Sequence, residues 1–183
     1  MSVASMRLAY DAGIRDFGEN RAQELVSKRS EMPDDCVWHM IGAVQTNKVR
    51  RLASCVSLWH TVDREALVLE LALRAPDARV MVEVNVGNEP HKPGCRIDDL
   101  DTVIGAANDA GLAVLGLMCV PPINADPRDI FQLLAQSAHQ RGLVELSMGM
   151  TSDFELAVEC GATMVRVGSA IFGPRPTIAD ARN

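Results

Sequence analysis

Short runs of β-forming residues alternate with amphipathic helical segments along the whole chain, and this alternation constrains the fold more than any other feature. We predict seven strands, at residues 15–17, 37–41, 57–62, 79–86, 113–118, 144–148 and 163–167. The segments between them carry apolar residues at helical spacing. Strict alternation of apolar strands with helices predicts a parallel sheet that is covered by helices.

The order of the elements favours a barrel over an open sheet. The chain begins with a helix, because Val3, Met6 and Ala9 fall on one helical face. A (β/α)₈ barrel has eight strands, each followed by its helix, so we predict a TIM-type α/β barrel whose first strand is missing from this chain. An open doubly wound sheet would carry G-x-G-x-x-G after its first strand, and the sequence lacks it. We interpret residues 1–183 as a single, N-terminally truncated barrel domain.

The composition argues against several classes of protein. A formal net charge of -6 would repel a phosphate backbone, so we expect no nucleic-acid binding. There is no secretory signal and no apolar run long enough to span a bilayer, so we expect no membrane association. Five cysteines without a C-x-x-C pair fit reduced cytoplasmic thiols better than disulfides or a zinc site. We expect a cytoplasmic protein that is a monomer or a weak homodimer.

The last two predicted strands end in glycine- and serine-containing segments, with the sequences "SMGMTSD" and "VGSAIFG". TIM barrels often bind phosphate with the loops after strands seven and eight and a short extra helix. Gly149 and Gly168 would let backbone N–H groups approach an anion, and Ser147 and Ser169 would add hydroxyl donors. We therefore predict a phosphate site at these two strand ends. The alternative is that the two glycines serve only tight turns.

Arg166 lies inside the last predicted strand, within "MVRVG". Strand alternation places it on the same face as Gly168, one step deeper toward the barrel interior. A buried guanidinium needs an acceptor, because burying it without one is costly. We expect either a ring nitrogen or carboxylate of a ligand, or a structural salt bridge with a strand acid such as Glu83.

Polar residues also mark the rim and the interior of the predicted barrel. Asn20 and Asn47 stand at strand–helix junctions, where each either caps a helix or hydrogen-bonds a bound cofactor. His39 and His60 each follow a tryptophan in a strand, so either could face the barrel interior. Together with Asp63 they raise a metal-site hypothesis, but no metal-binding spacing is present. We favour polar filling of the barrel interior and predict no metal.

The sequence resembles the pyridoxal-phosphate homeostasis proteins, single-domain relatives of the alanine racemase N-terminal barrel. The segments that carry the resemblance are "FGENRAQELVSK", "WHMIGAVQTNKVRRL", "VNVGNEPHKPG" and "LSMGMTSDFELAVECGATMVRVGSAIFG". The resemblance spans about residues 3–175. It implies pyridoxal 5'-phosphate in the barrel mouth, with phosphate on the Ser-Met-Gly-Met and Val-Gly-Ser loops and an arginine near the pyridine nitrogen. The corresponding residues are Ser147, Met148, Gly168, Ser169 and Arg166.

The resemblance also implies a function. A cation beside the pyridine nitrogen disfavours its protonation and weakens the ring as an electron sink. We therefore expect a pyridoxal 5'-phosphate binding protein of intracellular cofactor homeostasis, with little or no catalysis of its own. The alternatives are a racemase-like enzyme, which would want a tyrosine acid/base from a second domain, and an inactive truncated paralogue. A phosphosugar enzyme is a further alternative, for which only Glu19 and Asp63 qualify as acids at other strand ends.

The family holds its cofactor as a Schiff base on a lysine at the end of the first barrel strand, which this sequence lacks. Lys28, Lys48 and Lys92 fall in predicted helices or loops, and we interpret each as a solvated surface charge. We expect either that the natural protein is longer and this sequence begins at an internal methionine, which we favour, or that the chain is a truncated paralogue. A barrel that is missing one strand would leave two sheet edges, at residues 15–17 and 163–167, unpaired.

Overall fold

Seven parallel strands form one continuous sheet in the computed structural model, which describes residues 1–173. The strands are β1 (Asp16–Glu19), β2 (Val37–Met40), β3 (Leu58–Val62), β4 (Arg79–Glu83), β5 (Ala113–Met118), β6 (Glu145–Met150) and β7 (Met164–Arg166). Their order in the sheet is their order in the chain, and every neighbouring pair is parallel. The seven predicted strands are therefore confirmed.

Helices connect the strands and cover the outside of the sheet. They are α1 (Val3–Asp11), α2 (Ala22–Arg29), α3 (Thr46–Leu52), α4 (Glu65–Arg74), α5 (Leu100–Asp109), α6 (Pro127–His139), α7 (Phe154–Glu159) and α8 (Ser169–Phe172). The sheet curls into a nearly closed barrel, which confirms the predicted TIM-type architecture. β1 and β7 are the two ends of the strand order, and the described residues contain no pairing between them. None of the described helices is long and apolar enough to cross a membrane.

Strand alternation produces two separate apolar layers, and β2 shows how. Trp38 and Met40 are buried in the main core between sheet and helices, where the Trp38 ring lies 5.9 Å from the Phe17 ring. His39, between them, faces the barrel interior. A smaller interior cluster is made by Leu58, Met81 and Met118, with Leu115 and Met164 packed against it. The residues one or two steps further along these same strand faces form the candidate site.

Candidate functional site

The loops that follow β6 and β7 lie side by side at the mouth of the barrel. β6 pairs with β7 in parallel, with Met150 opposite Arg166, so both strands end at the same edge of the sheet. The backbone N–H of Gly168 then donates a hydrogen bond to Thr151 Oγ1 over 3.2 Å. The two turns that the sequence singled out are thus joined directly. Thr151 was not among the predicted site residues, although it lies within the predicted loop.

Backbone donors are left over at this junction. Met150 N donates to Asp153 Oδ1 over 2.6 Å, which holds the turn after β6 in place. The N–H groups at the tip of this turn and at the start of α8 have no acceptor within residues 1–173; they belong to Thr151, Ser152, Ser169 and Ala170. Clustered unpaired N–H groups in a turn and at a helix start are typical of anion sites.

The two predicted glycines serve different purposes. Gly149 has φ +89°, and a Cβ there would lie 2.5 Å from the Ala157 Cβ on α7. This position needs glycine for its positive φ and for close packing against α7, and not for the tight turn that the alternative interpretation proposed, since it lies inside β6. Gly168 has a negative φ, and a Cβ there would meet nothing within 4 Å. The space beside Gly168 is therefore open.

Ser147 and Met148 lie inside strand β6, as in the predicted strand at residues 144–148, and β6 continues two residues further to Met150. Ser147 is fully buried, and its Oγ lies 2.9 Å from His60 Nδ1 and 2.7 Å from Arg166 Nη1. The prediction that this hydroxyl joins the phosphate donors disagrees with the structure, since it is already engaged in the interior. Met148 is fully buried in the main core.

Arg166 points into the barrel, as strand alternation predicted. Nη1 donates to the backbone oxygen and the hydroxyl of Ser147, and Nη2 donates to the Cys119 carbonyl over 2.8 Å. The acceptors are thus on the neighbouring strand and on the segment after β5, and the expected ion pair with Glu83 is not formed. Burial lowers the pKa of Arg166. A guanidinium has five N–H donors, so Nε and one N–H of Nη2 are left for a ligand.

Glu83 carries an unpaired carboxylate oxygen at the end of β4. The residue is 4% exposed, and its Oε2 has no hydrogen-bond partner among the described residues. Burial and the neighbouring charge of Asp63 raise the pKa of Glu83 to about 7, against the opposing effect of Arg166. A buried carboxyl without a donor is costly, so this position fits a donor brought by a ligand.

Asn20 and Asn47 lie on the rim and are exposed to solvent. Neither is a helix cap, because the N-cap of α2 is Arg21 and that of α3 is Gln45. The capping alternative is therefore wrong for both. The loops that follow β1 and β2 pack tightly, since a Cβ on Gly42 would lie 2.1 Å from the Asn20 carbonyl oxygen. Contact of these amides with a ligand stays a prediction.

Known proteins resemble this chain over nearly its full length. The alanine racemase N-terminal domain family matches residues 2–176. A pyridoxal phosphate homeostasis protein of Aquifex aeolicus is 40% identical, with 93% of this chain and 81% of that protein covered. The structure of PipY from Synechococcus elongatus with PLP bound superposes with a TM-score of 0.80 at 33% identity, over 93% of this chain and 87% of that one. The PLP-free form of PipY gives 0.83 at 34% identity, with the same coverage.

The chain belongs to the pyridoxal phosphate homeostasis protein family. Its barrel is accordingly of the alanine racemase N-terminal type, as the sequence motifs predicted.

The three lysines of this family member do not share one environment. Lys28 was predicted to be solvated, and that is wrong: its side chain is 10% exposed and pairs with Glu19 at 2.6 Å and Glu24 at 2.8 Å. Burial alone would lower the pKa of Lys28, but the two carboxylates outweigh it and the net shift is upward. Lys92 pairs with Glu89 on the loop after β4, and Lys48 lies on α3. None of the three lies on a strand.

The two interior histidines contact each other, with His39 Nδ1 lying 2.9 Å from His60 Nε2. Asp63 does not join them. Its carboxylate pairs with Arg64 at 2.5 Å and accepts from the N–H of Gly94 at 3.3 Å. Within residues 1–173 no three His, Cys, Asp or Glu side chains are grouped as metal ligands.

Proposed function

We propose that this chain binds pyridoxal 5'-phosphate at the barrel mouth and keeps it available inside the cell, with little or no catalysis of its own. The observation that carries the proposal is the pair of joined loops after β6 and β7 with unpaired backbone N–H groups, in a chain of this family. Related proteins bear the homeostasis name, and PipY has been solved with the cofactor bound.

The residues at the mouth fit the chemical groups of the cofactor. The N–H groups of Thr151, Ser152, Ser169 and Ala170 would hold the phosphate, with the Ser169 hydroxyl beside them. Arg166 would face the ring with its remaining N–H donors, and Glu83 would accept from the ring hydroxyl of the cofactor. When bound, the cofactor supplies an electrophilic aldehyde and an electron-withdrawing ring. The positive charge of Arg166 near the ring nitrogen would limit that ring to mild chemistry.

The side chains that the sequence offered to the catalytic alternatives are engaged elsewhere in the structure. The single tyrosine, Tyr10, lies on α1 and donates its hydroxyl to Asp35 over 2.6 Å, so it is not placed at the mouth for racemisation. The two strand-end acids of a phosphosugar enzyme are both occupied: Glu19 pairs with Lys28, and Asp63 pairs with Arg64. Binding without demanding chemistry is the function that these contacts support.

Five unpaired cysteines support a cytoplasmic location for this function, because reducing compartments keep thiols free. The monomeric or weakly dimeric state stays a proposal on the sequence alone.

A charge placed in the phosphate site tests the proposal. Ser169→Asp puts a carboxylate beside the N–H groups that would hold the phosphate, and we expect the dissociation constant for pyridoxal 5'-phosphate to rise at least about tenfold through repulsion. Titration by cofactor absorbance or calorimetry measures it. Ser27→Asp, at an exposed position on α2, is the matched control and should bind like the unmodified chain. Equal affinity of the two variants would place the phosphate elsewhere.

A further inference from the structure

A continuous line of hydrogen bonds crosses the barrel interior from one end of the strands toward the other. It begins at Arg166 Nη1, which lies 2.7 Å from Ser147 Oγ. Ser147 Oγ is 2.9 Å from His60 Nδ1, and His60 Nε2 is 2.9 Å from His39 Nδ1. The line ends with His39 Nε2 at 3.0 Å from Asp16 Oδ1. Four strands, β1, β2, β3 and β6, therefore connect in series to the arginine on β7.

The donors and acceptors along this line can be arranged in one way when both imidazoles are neutral. The Asp16 carboxylate only accepts, so His39 carries its proton on Nε2 and accepts at Nδ1. His60 must then donate a hydrogen bond from Nε2 and accept one at Nδ1, and the Ser147 hydroxyl must donate the hydrogen bond to His60 Nδ1. The Ser147 oxygen in turn accepts from Arg166, which only donates. Every member is satisfied, and the direction is the same throughout.

The two ends of the line differ in exposure. Ser147 and His60 are buried, at 0% and 2% exposed, whereas the Asp16 side chain is 70% exposed. Asp16 and His39 line a cavity of about 360 Å³ at the amino ends of the strands, together with Arg79 and Glu145. The cofactor site is at the opposite, carboxyl ends. Asp16 therefore contacts Arg166 only through the intervening side chains.

We infer that Asp16, His39, His60 and Ser147 form a directed relay that orients the Arg166 guanidinium toward the bound cofactor. This inference rests on the proposed function, because the orientation matters only when a ligand meets the free N–H groups of Arg166. The relay and the Ser147 carbonyl hold Nη1 of the guanidinium, and the Cys119 carbonyl holds Nη2. These four residues are positioning residues, since none of them needs to touch the cofactor.

The ligand-free chain gives the first test. The four histidines of the chain, His39, His60, His91 and His139, make nitrogen NMR of the imidazoles tractable, and the exposed rings of His91 and His139 provide reference signals. We expect both interior rings to carry hydrogen on Nε2 and none on Nδ1. A ring protonated mainly on Nδ1 would overturn the directed relay. This arm does not depend on cofactor binding, so it separates failure of the relay from failure of the proposed function.

Cofactor titration of Asp16→Ala gives the second test. Asp16 is exposed and remote from the mouth, so this variant should fold, and the loosened guanidinium should weaken pyridoxal 5'-phosphate binding about tenfold, as outer partners of a binding group do. The absorbance of the bound cofactor should also shift. Glu145→Ala removes the same charge from the same cavity outside the relay, and it should bind like the unmodified chain.

A double variant decides whether the effect passes along the relay. Ser147→Ala interrupts the line next to Arg166, so adding Asp16→Ala should weaken binding no further. Additive losses would overturn the relay, as would an Asp16→Ala affinity equal to that of Glu145→Ala. If the unmodified chain binds no cofactor, the proposed function fails, and the NMR result still decides the tautomers.

Discussion

The interior and the mouth of this barrel are both polar, but they differ in whether their polar groups have partners. In the interior, Ser147, His60 and His39 each use their donors and acceptors within the protein. At the mouth, Glu83 Oε2 and the N–H groups of the loops after β6 and β7 have no partner among the described residues. Arg166 belongs to both regions. It donates to Ser147 and the Cys119 carbonyl within the protein, and its Nε and one N–H of Nη2 remain without a partner within residues 1–173.

This difference separates groups that maintain the fold from groups that wait for a ligand. A satisfied buried network rigidifies a protein, whereas a buried group without a partner reduces the free energy of unfolding until something binds it. We therefore expect changes in the interior to alter stability and its pH dependence most. Changes at the mouth should alter ligand binding, and removal of an unpaired group there should even stabilise the chain.

The largest expected effect is a loss of unfolding free energy at acid pH, caused by His60 in the interior. Burial lowers the pKa of His60 from 6.5 to about 3, helped by the nearby charges of His39 and Arg166. Between pH 6.5 and 3, His60 is therefore protonated in the unfolded chain and neutral in the folded chain. The free energy of unfolding consequently falls as the pH drops through this range, by up to about 5 kcal/mol. Urea unfolding of His60→Gln should show a shallower fall over this range. His139→Gln, on the exposed side of α6, should keep the original slope.

At the mouth, the unfolding free energy depends on pH in the opposite direction. The pKa of Glu83 is raised to about 7 by burial, so the favourable contribution of its protonated form is lost as pH rises from 4.5 through 7. Relative to the unmodified chain, Glu83→Gln should gain about 3 kcal/mol of unfolding free energy between pH 4 and pH 9. Thermal or urea unfolding at the two pH values measures it. Glu155→Gln, at an exposed position on α7, is the control, and an equal gain there would contradict the assignment.

Alanine substitutions at Gly149 and Gly168 should distinguish a glycine that is needed for packing from one that lies beside open space. Gly149→Ala forces a side chain against Ala157 at positive φ, and we expect a loss of about 2 kcal/mol of unfolding free energy. Gly168→Ala meets no atom, so stability should hold while pyridoxal 5'-phosphate binding weakens. Unfolding curves and cofactor titrations on both variants give the result. Equal destabilisation by the two changes would remove the distinction.

The smallest effect concerns the bond that joins the two loops. Thr151→Val removes the hydroxyl that accepts from Gly168 N, and we expect a loss of about 1 kcal/mol of unfolding free energy. Thr102→Val, at an exposed position on α5, is the matched control and should change stability by less. A larger loss in the control than in Thr151→Val would show that the loops are not held together by this bond.

Local patterns in the sequence predicted the strands and the inward direction of Arg166, because both follow from the periodicity of side chains along the backbone. Partners from distant strands could not be predicted in this way. The hydrogen bond between His60 and Ser147 joins residues 87 positions apart, and it depends on how the barrel closes. Lys28 was misjudged in part for the same reason, since the buried one of its two partners, Glu19, lies on a strand, whereas Glu24 lies on its own helix.

The extent of β6 was also beyond the sequence pattern. Gly149 suggested a turn, but its missing side chain allows close contact with α7 while the strand continues to Met150. Ser147, which lay near the end of the predicted strand, is therefore deeper in the interior, and the donors at the mouth come from backbone groups of later residues, where side-chain identity gives little indication.

A crystal structure of this chain grown with pyridoxal 5'-phosphate tests the central claim most directly. We predict phosphate density within hydrogen-bond distance of the N–H groups of Thr151, Ser152, Ser169 and Ala170, and the ring beside Arg166. Density for the phosphate at another part of the barrel, with these four N–H groups bonded to water alone, would contradict the account.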